Sequence, residues 1–208
     1  MRTGPGFLEH HVLADGAKVT VRHIADGDAD ELRRAFTTLS PETRYRRFLW
    51  DVSTLDDSMV RYFTHVDGHD HVAFVAVGDS PDMKSDVGYG VARFVRLAGE
   101  PDAAEAAVTV VDALQNRGVG HLLLHTLAEA ARERGIRRFR GEVLAANGPV
   151  RQLLAEAGAV VQRETPESIT FDIALDRDDL PLARWLRLAA DRLSARPGLH
   201  ALHDLAPR

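Results

Sequence analysis

The segment Val110-Val-Asp-Ala-Leu-Gln115-Asn-Arg-Gly118-Val-Gly120-His121 passes from a β-branched stretch through a turn into an apolar helical pattern. Its physical meaning is an anion site. A helix N-terminus presents backbone N–H groups that lack an intrahelical acceptor, and the helix dipole favours negative charge there. Gly118 and Gly120 remove side chains that would hold a phosphate away from the backbone, and Arg117 adds a positive charge. A pyrophosphate is the guest this spacing suits. A mononucleotide P-loop needs Lys and Ser or Thr after its last glycine, where this chain has His121 and Leu122. A dinucleotide fingerprint needs a third glycine and an early βαβ unit, and strands in antiparallel order precede this turn instead.

Other candidate chemistries are weaker. His121 and His125 stand four apart on one helix, but Leu122–Leu124 between them supplies no acid of the His-Glu-x-x-His kind. His65, His69 and His71 gather around a turn without an evident ligand set. No metal is expected. There is no Gly-x-Ser-x-Gly elbow and no cysteine, which excludes a serine-hydrolase elbow, a cysteine nucleophile and a thiolate metal site.

The elements that position the turn follow from periodicity. Residues 1–16 mix Gly, Pro, His and short apolar pieces and read as a loose lead-in before a strand over Lys18–Ile24. Asp26-Gly-Asp28 offers a cap to a helix carrying Leu32, Phe36 and Leu39. Ser40-Pro41-Glu42 starts a second helix, and Thr54 to Asp57 caps a third with Met59 and Phe63. Strands are predicted over His71–Val77, Asp86–Leu97 and Glu105–Val111, with turns over Gly78–Lys84 and Gly99–Asp102. A helix from Gly118 to Arg134 ends at Gly135, a residue suited to the left-handed position after a helix. Phe139–Leu144 is a strand, Asn147–Ala157 a helix closed by Gly158, and Ala159–Val161 and Ile169–Ala174 are closing strands. This order predicts a mixed α+β domain over 18–176, between the lead-in (1–17) and a helical extension over 177–208 with Leu182, Leu186, Ala189 and Leu193 on one stripe.

The chain of 208 residues is long enough for one domain with a sizeable core. With 26 Lys+Arg against 31 Asp+Glu, its charge of -5 argues against nucleic-acid binding through phosphate contacts. No apolar run approaches the roughly 20 residues that span a bilayer, and residues 1–7 lack a signal-type apolar stretch. The composition leads us to expect a cytoplasmic protein with no membrane and no nucleic-acid partner.

Gln115-x-x-Gly118-x-Gly120 after a mid-chain strand resembles the acetyl-CoA signature of the GNAT N-acetyltransferases, and the resemblance extends over roughly residues 18–175. Glu142-Val-Leu-Ala-Ala-Asn147 and the helix ending at Gly158 resemble that family's second motif. Three further segments, Leu39–Phe48, Thr64–Phe74 and Val91–Arg96 with Ala104–Val108, are similar to the catalytic domain of bacterial Pat-type protein lysine acetyltransferases. The resemblance implies a GNAT fold: a mostly antiparallel sheet flanked by helices, with a V-shaped CoA cleft where the strand carrying Val108, Thr109 and Val110 parts from the Phe139–Leu144 strand. By matching position, Asn116, Arg117, Gly118, Val119, Gly120 and His121 would hold the pyrophosphate of acetyl-CoA, with Gln115 at the turn. Val108–Val110 would pair with the pantetheine arm, and Asn147 would bond near its end.

The implied reaction is attack of an amine on a thioester. A lysine amine has a pKa near 10.4 and is ammonium at neutral pH, so a base must take its proton directly or through water. Glu105, ten positions before Gln115, stands where Pat-like enzymes carry their candidate base, and its alanine- and valine-rich strand would raise a carboxyl's pKa. Glu142 matches an acid of other GNATs. A Val110 amide would polarise the carbonyl. Two departures stand out: Leu154 where many GNATs place a tyrosine to protonate the thiolate, and Gly158-Ala159 in place of Gly-Phe. Arg44, Tyr45, Arg46, Arg47 and Phe48 read either as an acceptor-docking surface or as a solvated face. The expected activity is acetyl transfer to a protein lysine on an acyl-CoA synthetase-like target. A small-molecule amine acceptor, a non-catalytic CoA-binding module and a homodimer stay open.

Overall fold

A computed structural model of the chain describes residues 1–48, 52–79, 86–145 and 158–175. Eight strands form one sheet: β1 (Leu8–Val12), β2 (Lys18–His23), β3 (His71–Asp79), β4 (Asp86–Leu97), β5 (Glu100–Val110), β6 (Arg138–Leu144), β7 (Val160–Glu164) and β8 (Ser168–Ala174). Their order across the sheet is β1-β2-β3-β4-β5-β6-β8-β7. Every pair is antiparallel except β5 with β6. Among the described residues four helices accompany them: α1 (Ala29–Thr38), α2 (Pro41–Phe48), α3 (Asp57–Thr64) and α4 (Val119–Glu133).

The sheet is covered on both faces. α4 lays Leu123, Leu124 and Leu127 against the face bearing Phe74, Phe94, Ala106, Val108 and Val110, all buried. On the other face Phe36 and Leu39, from α1 and its C-cap, pack with Met59 and Phe63 of α3. The alternation along β5 follows from the period of two: even-numbered residues face α4, and odd-numbered ones face α1 and α3. Gly135 ends α4 at φ 78°, with the Ile136 N–H donating back to Ala131, as the glycine's position predicts.

Three local expectations are corrected. Residues 1–16 are not loose: β1 pairs with β2 from Leu8↔Arg22 to Val12↔Lys18. Thr3 is buried, its N–H and hydroxyl both donating to Glu133. The strand escaped the pattern because its burial is inverted, with Leu8 and Val12 exposed and Glu9 and His11 half-buried. β5 starts at Glu100, five residues before the expected point, and the turn shrinks to Ala98–Gly99. Ion pairs from Arg138 to Glu100 and Asp102, and from Arg140 to Glu100, hold this polar, proline-containing stretch against β6. Finally, Asp28 sits at the α1 N-cap without capping it; its carboxylate accepts from Arg22 and from the Ala25 N–H instead.

Candidate active site

The pairing of β5 with β6 is short. It comprises Ala103↔Arg138, Ala104↔Phe139 and Glu105↔Arg140, and goes no further. On its other side β5 stays paired with β4 as far as Gly90↔Val110. Val108, Thr109 and Val110 therefore keep the β6-side edge of their backbone out of the ladder, and the two strands part beyond Glu105. An extended chain laid into this opening could pair with the exposed edge as an added strand. The V-shaped cleft expected of the fold is present.

At the open end of the cleft, β5 gives way to a single 3-10 turn over Asp112–Leu114 and then to α4. Two residues take left-handed backbone: Asn116 at φ 61° and Gly118, the α4 N-cap, at φ 91°. No side chain caps the helix and no acid occupies its first turn. The N–H groups at the start of α4 thus face an uncapped, acid-free end, which favours an anion. Val119 and Gly120 are buried, so this segment is fixed by packing while its backbone rim is presented. Gln115 braces the turn, donating from Nε2 to the Val110 carbonyl and the Asp112 carboxylate, both at 3.2 Å. Arg117 reaches across to an ion pair with Asp15 in the β1–β2 connection. His121 is half-buried, its ring 6.4 Å from that of His125. Among the described residues no group of three or more His, Cys, Asp or Glu side chains is placed to hold a metal ion.

Glu105 and Glu142 share a sheet face. Glu105 is the register partner of Arg140 at the last rung before the strands part, and Glu142 lies two residues beyond Arg140. Both carboxylates are half-buried. Arg140 is held by Asp172 and Glu100 at 2.7–3.1 Å, and hydrogen bonds from these two acids raise its pKa above the ordinary range. Asn147, the helix expected over 147–157 with Leu154, and the extension over 177–208 lie outside the described residues.

Two features were not read from the sequence. Asp112 accepts hydrogen bonds from the Ser40 N–H (2.7 Å), the Ser40 hydroxyl (3.2 Å) and the Thr43 hydroxyl (2.6 Å), tying the start of α2 to the turn that Gln115 braces. Burial pushes its carboxyl up, yet these bonds together hold it below the usual carboxylate range. The second feature is a recess of about 80 Å³ between α1, α3 and the β4–β5 face, with Thr109 and Val111 in its floor and Phe36 and Phe63 in its walls. Apolar periodicity marks such residues as core, so neither the recess nor the Thr109 hydroxyl within it could be anticipated.

Comparison with known proteins agrees with this geometry. Residues 29–159 match the model of the acetyltransferase (GNAT) family. The chain is 30% identical over 156 residues to Acetyltransferase PA5475 of Pseudomonas aeruginosa, covering 75% of this chain and 82% of that protein. It is 34% identical over 145 residues to Acetyltransferase Pat of Mycolicibacterium smegmatis, covering 69% of this chain and 42% of the relative, so it spans less than half the length of that protein. The solved GNAT domain of S. lividans PAT superposes with a TM-score of 0.68 at 32% identity, over 80% of this chain and 96% of that one. These likenesses support the Pat-type resemblance read from Leu39–Phe48, Thr64–Phe74 and Val91–Arg96. With its parted β5 and β6 and its glycine turn at the start of α4, the chain belongs to the GNAT acetyltransferase family.

Proposed function

We propose that this acetyltransferase moves the acetyl group of acetyl-CoA to a lysine side chain of a protein, on an acyl-CoA synthetase-like target. The observation that carries the reading is the end of β5–β6 pairing at Glu105↔Arg140, which leaves a free strand edge leading to an acid-free helix N-terminus. In this reading the N–H groups from Asn116 to His121 hold the pyrophosphate, and Gln115 keeps their turn in shape. Arg117 adds charge by turning from Asp15. Val108, Thr109 and Val110 offer the edge that aligns the pantetheine, with Asn147 near its end. The Val110 amide polarises the thioester carbonyl.

Glu105 takes the amine proton through water, the freed nitrogen attacks the thioester carbonyl carbon, and the C–S bond breaks to release CoA as its thiolate, which solvent protonates; Glu142 is the second carboxylate facing the same space. Glu105 suits the role because it stands where the cleft opens, within reach of solvent yet beside the buried Ala104 and Ala106. The Pat likeness supports a protein lysine as acceptor.

The test is mass spectrometry of a purified acyl-CoA synthetase incubated with this protein and acetyl-CoA. A single added acetyl group on one lysine supports the acceptor assignment. No added mass, with acetyl-CoA still bound in a parallel titration, would reject that acceptor and turn the search to small amines.

A further inference from the structure

β1 lies at one end of the sheet, and among the described residues only β2 pairs with it. The Leu13 N–H donates to the Ala17 carbonyl at 2.8 Å, one rung past Val12↔Lys18. Hydrogen-bonded rungs alternate in an antiparallel pair, so Leu13, His11 and Glu9 turn their amides toward β2. Leu8, His10 and Val12 therefore turn N–H and C=O outward, away from the sheet. Their side chains share one face, where Leu8 is 52% exposed and Val12 71%. Such an edge is a template for another strand, and proteins usually blunt it with lysine, proline or a bulge. At the opposite end, β7 also exposes Val160 and Val161, but a register shift between Val161 and Arg163 interrupts its ladder. β1 has none of these devices: it reads Leu-Glu-His-His-Val and keeps an unbroken register.

Which strand would fit? An antiparallel copy of β1 must set outward residues against outward residues. Centred on Glu9, the pairing puts two acids face to face. Centred on His11, it leaves both copies of Leu8 unpaired. Centred on His10, it bonds all three outward residues, and each rung exchanges two hydrogen bonds. Leu8 then meets the partner's Val12, apolar against apolar, and Glu9 stands across from the partner's His11. Glu9 is already held by Arg2 at 2.7 Å and lies 3.4 Å from His11 of its own strand. The two-fold thus brings two acid–histidine pairs side by side. The strand is complementary to itself in this register and mismatched in its neighbours.

We infer that this edge pairs with a second copy of the chain, antiparallel about a two-fold axis at His10, to give a homodimer whose sheet runs unbroken through both protomers. β1 stands four places from β5 in the sheet order, so the parted β5–β6 cleft of each protomer stays open. The interface is at the small end of specific interfaces, and the association is reversible. The inference does not depend on the CoA site or on the acceptor.

The chain has no cysteine, so one introduced thiol reads the register. His10→Cys places two thiols on the axis with Cα atoms about 5.5 Å apart, a span that a disulfide bridges. Mild oxidation of the full chain should then give a covalent dimer on a non-reducing gel. In Leu8→Cys the two thiols lie four residues apart along the strands, about 14 Å, and should stay unlinked. Sedimentation equilibrium of the unaltered chain, up to several hundred micromolar, should show a reversible dimer. Val12→Lys sets an ammonium against the partner's Leu8, and His10→Pro removes the donors of the central rung while sparing every β1–β2 bond. Each should weaken the dimer by about tenfold. Val12→Lys, at an exposed site, should leave the melting temperature of the dilute protein unchanged. Monomers at every concentration, a link through Leu8→Cys in place of His10→Cys, or a dimer indifferent to Val12→Lys and His10→Pro would overturn the proposal and leave the edge to another protein or to the extension over 177–208.

Discussion

Thr43 donates a 2.6 Å hydrogen bond to Asp112 across 69 residues of sequence, joining the start of α2 to the turn below the proposed pyrophosphate site. The same carboxylate accepts from the Ser40 N–H and from Gln115. One acid therefore sets both the entry of α2 and the shape of the glycine turn. Replacing Asp112 with Ala leaves these donors without an anionic acceptor. Hydrogen bonds to a charged group contribute about 1.5–3 kcal/mol, and partial exposure argues for the low end. We expect Asp112→Ala to lose about 2 kcal/mol in urea unfolding and to weaken CoA binding as Gln115 loosens. Because the carboxyl is held below its usual range, this stabilisation is present above about pH 4 and is lost as pH falls through the lowered value. Unchanged unfolding together with unchanged CoA affinity would show the bonds to be idle.

Glu105 is the last paired residue before β5 and β6 part, and Glu142 faces the same side two residues past its partner Arg140. General-base catalysis contributes about 10²–10⁴ in rate. Glu105→Gln should lower turnover within that range while leaving acetyl-CoA affinity unchanged, and Glu142→Gln should cost less. If the order of the two effects is reversed in steady-state kinetics, the base is Glu142.

The glycine turn was legible because each of its requirements is local. Gly118 takes φ 91° and Gly135 φ 78°, and both positions announce themselves beside an amphipathic helix. From β2 onward, the order of the described strands and helices was legible for the same reason. What escaped depends on distant partners or on inverted burial. β1 hides because Leu8 and Val12 face solvent, and its place is fixed by pairing with β2. The early start of β5 depends on Arg138 and Arg140 from another strand. Asp112 looks like any acid in a turn until Ser40 and Thr43 arrive from 72 and 69 residues away. Thr109 reads as a β-former, and its unbonded hydroxyl exists only once α1 and α3 cover it.

Gly118 separates backbone strain from steric blockage. A Cβ built there meets no atom within 4 Å, so Gly118→Ala fits without a clash. Its cost comes from φ 91°, and holding an L-residue in left-handed backbone costs roughly 1–2 kcal/mol. If the N–H rim of α4 receives the pyrophosphate, the methyl group or the relaxed turn should also weaken CoA. Thermal melts with and without CoA distinguish the two effects. A lower melting temperature with the CoA-induced rise intact would mean that the glycine serves the turn alone.

His71 makes the fold sensitive to mild acid. Burial, and then the nearby Arg93 guanidinium, lower its pKa from 6.5 to about 4. The unfolded chain therefore binds a proton in a range where the native imidazole stays neutral, with Nε2 facing Arg93 at 3.1 Å. Stability is fully present above the unfolded value near 6.5 and falls as pH drops toward the folded value near 4. Linkage over that window predicts a loss of about 2 kcal/mol between pH 7 and pH 5. Carboxylates with lowered pKa values add to acid unfolding mainly below about pH 4.5. A His71→Gln variant should start less stable, because Arg93 loses an imidazole partner, yet show a nearly flat profile from pH 7 to pH 5. Urea midpoints across this range decide the matter: parallel slopes for the two proteins would place the acid sensitivity elsewhere.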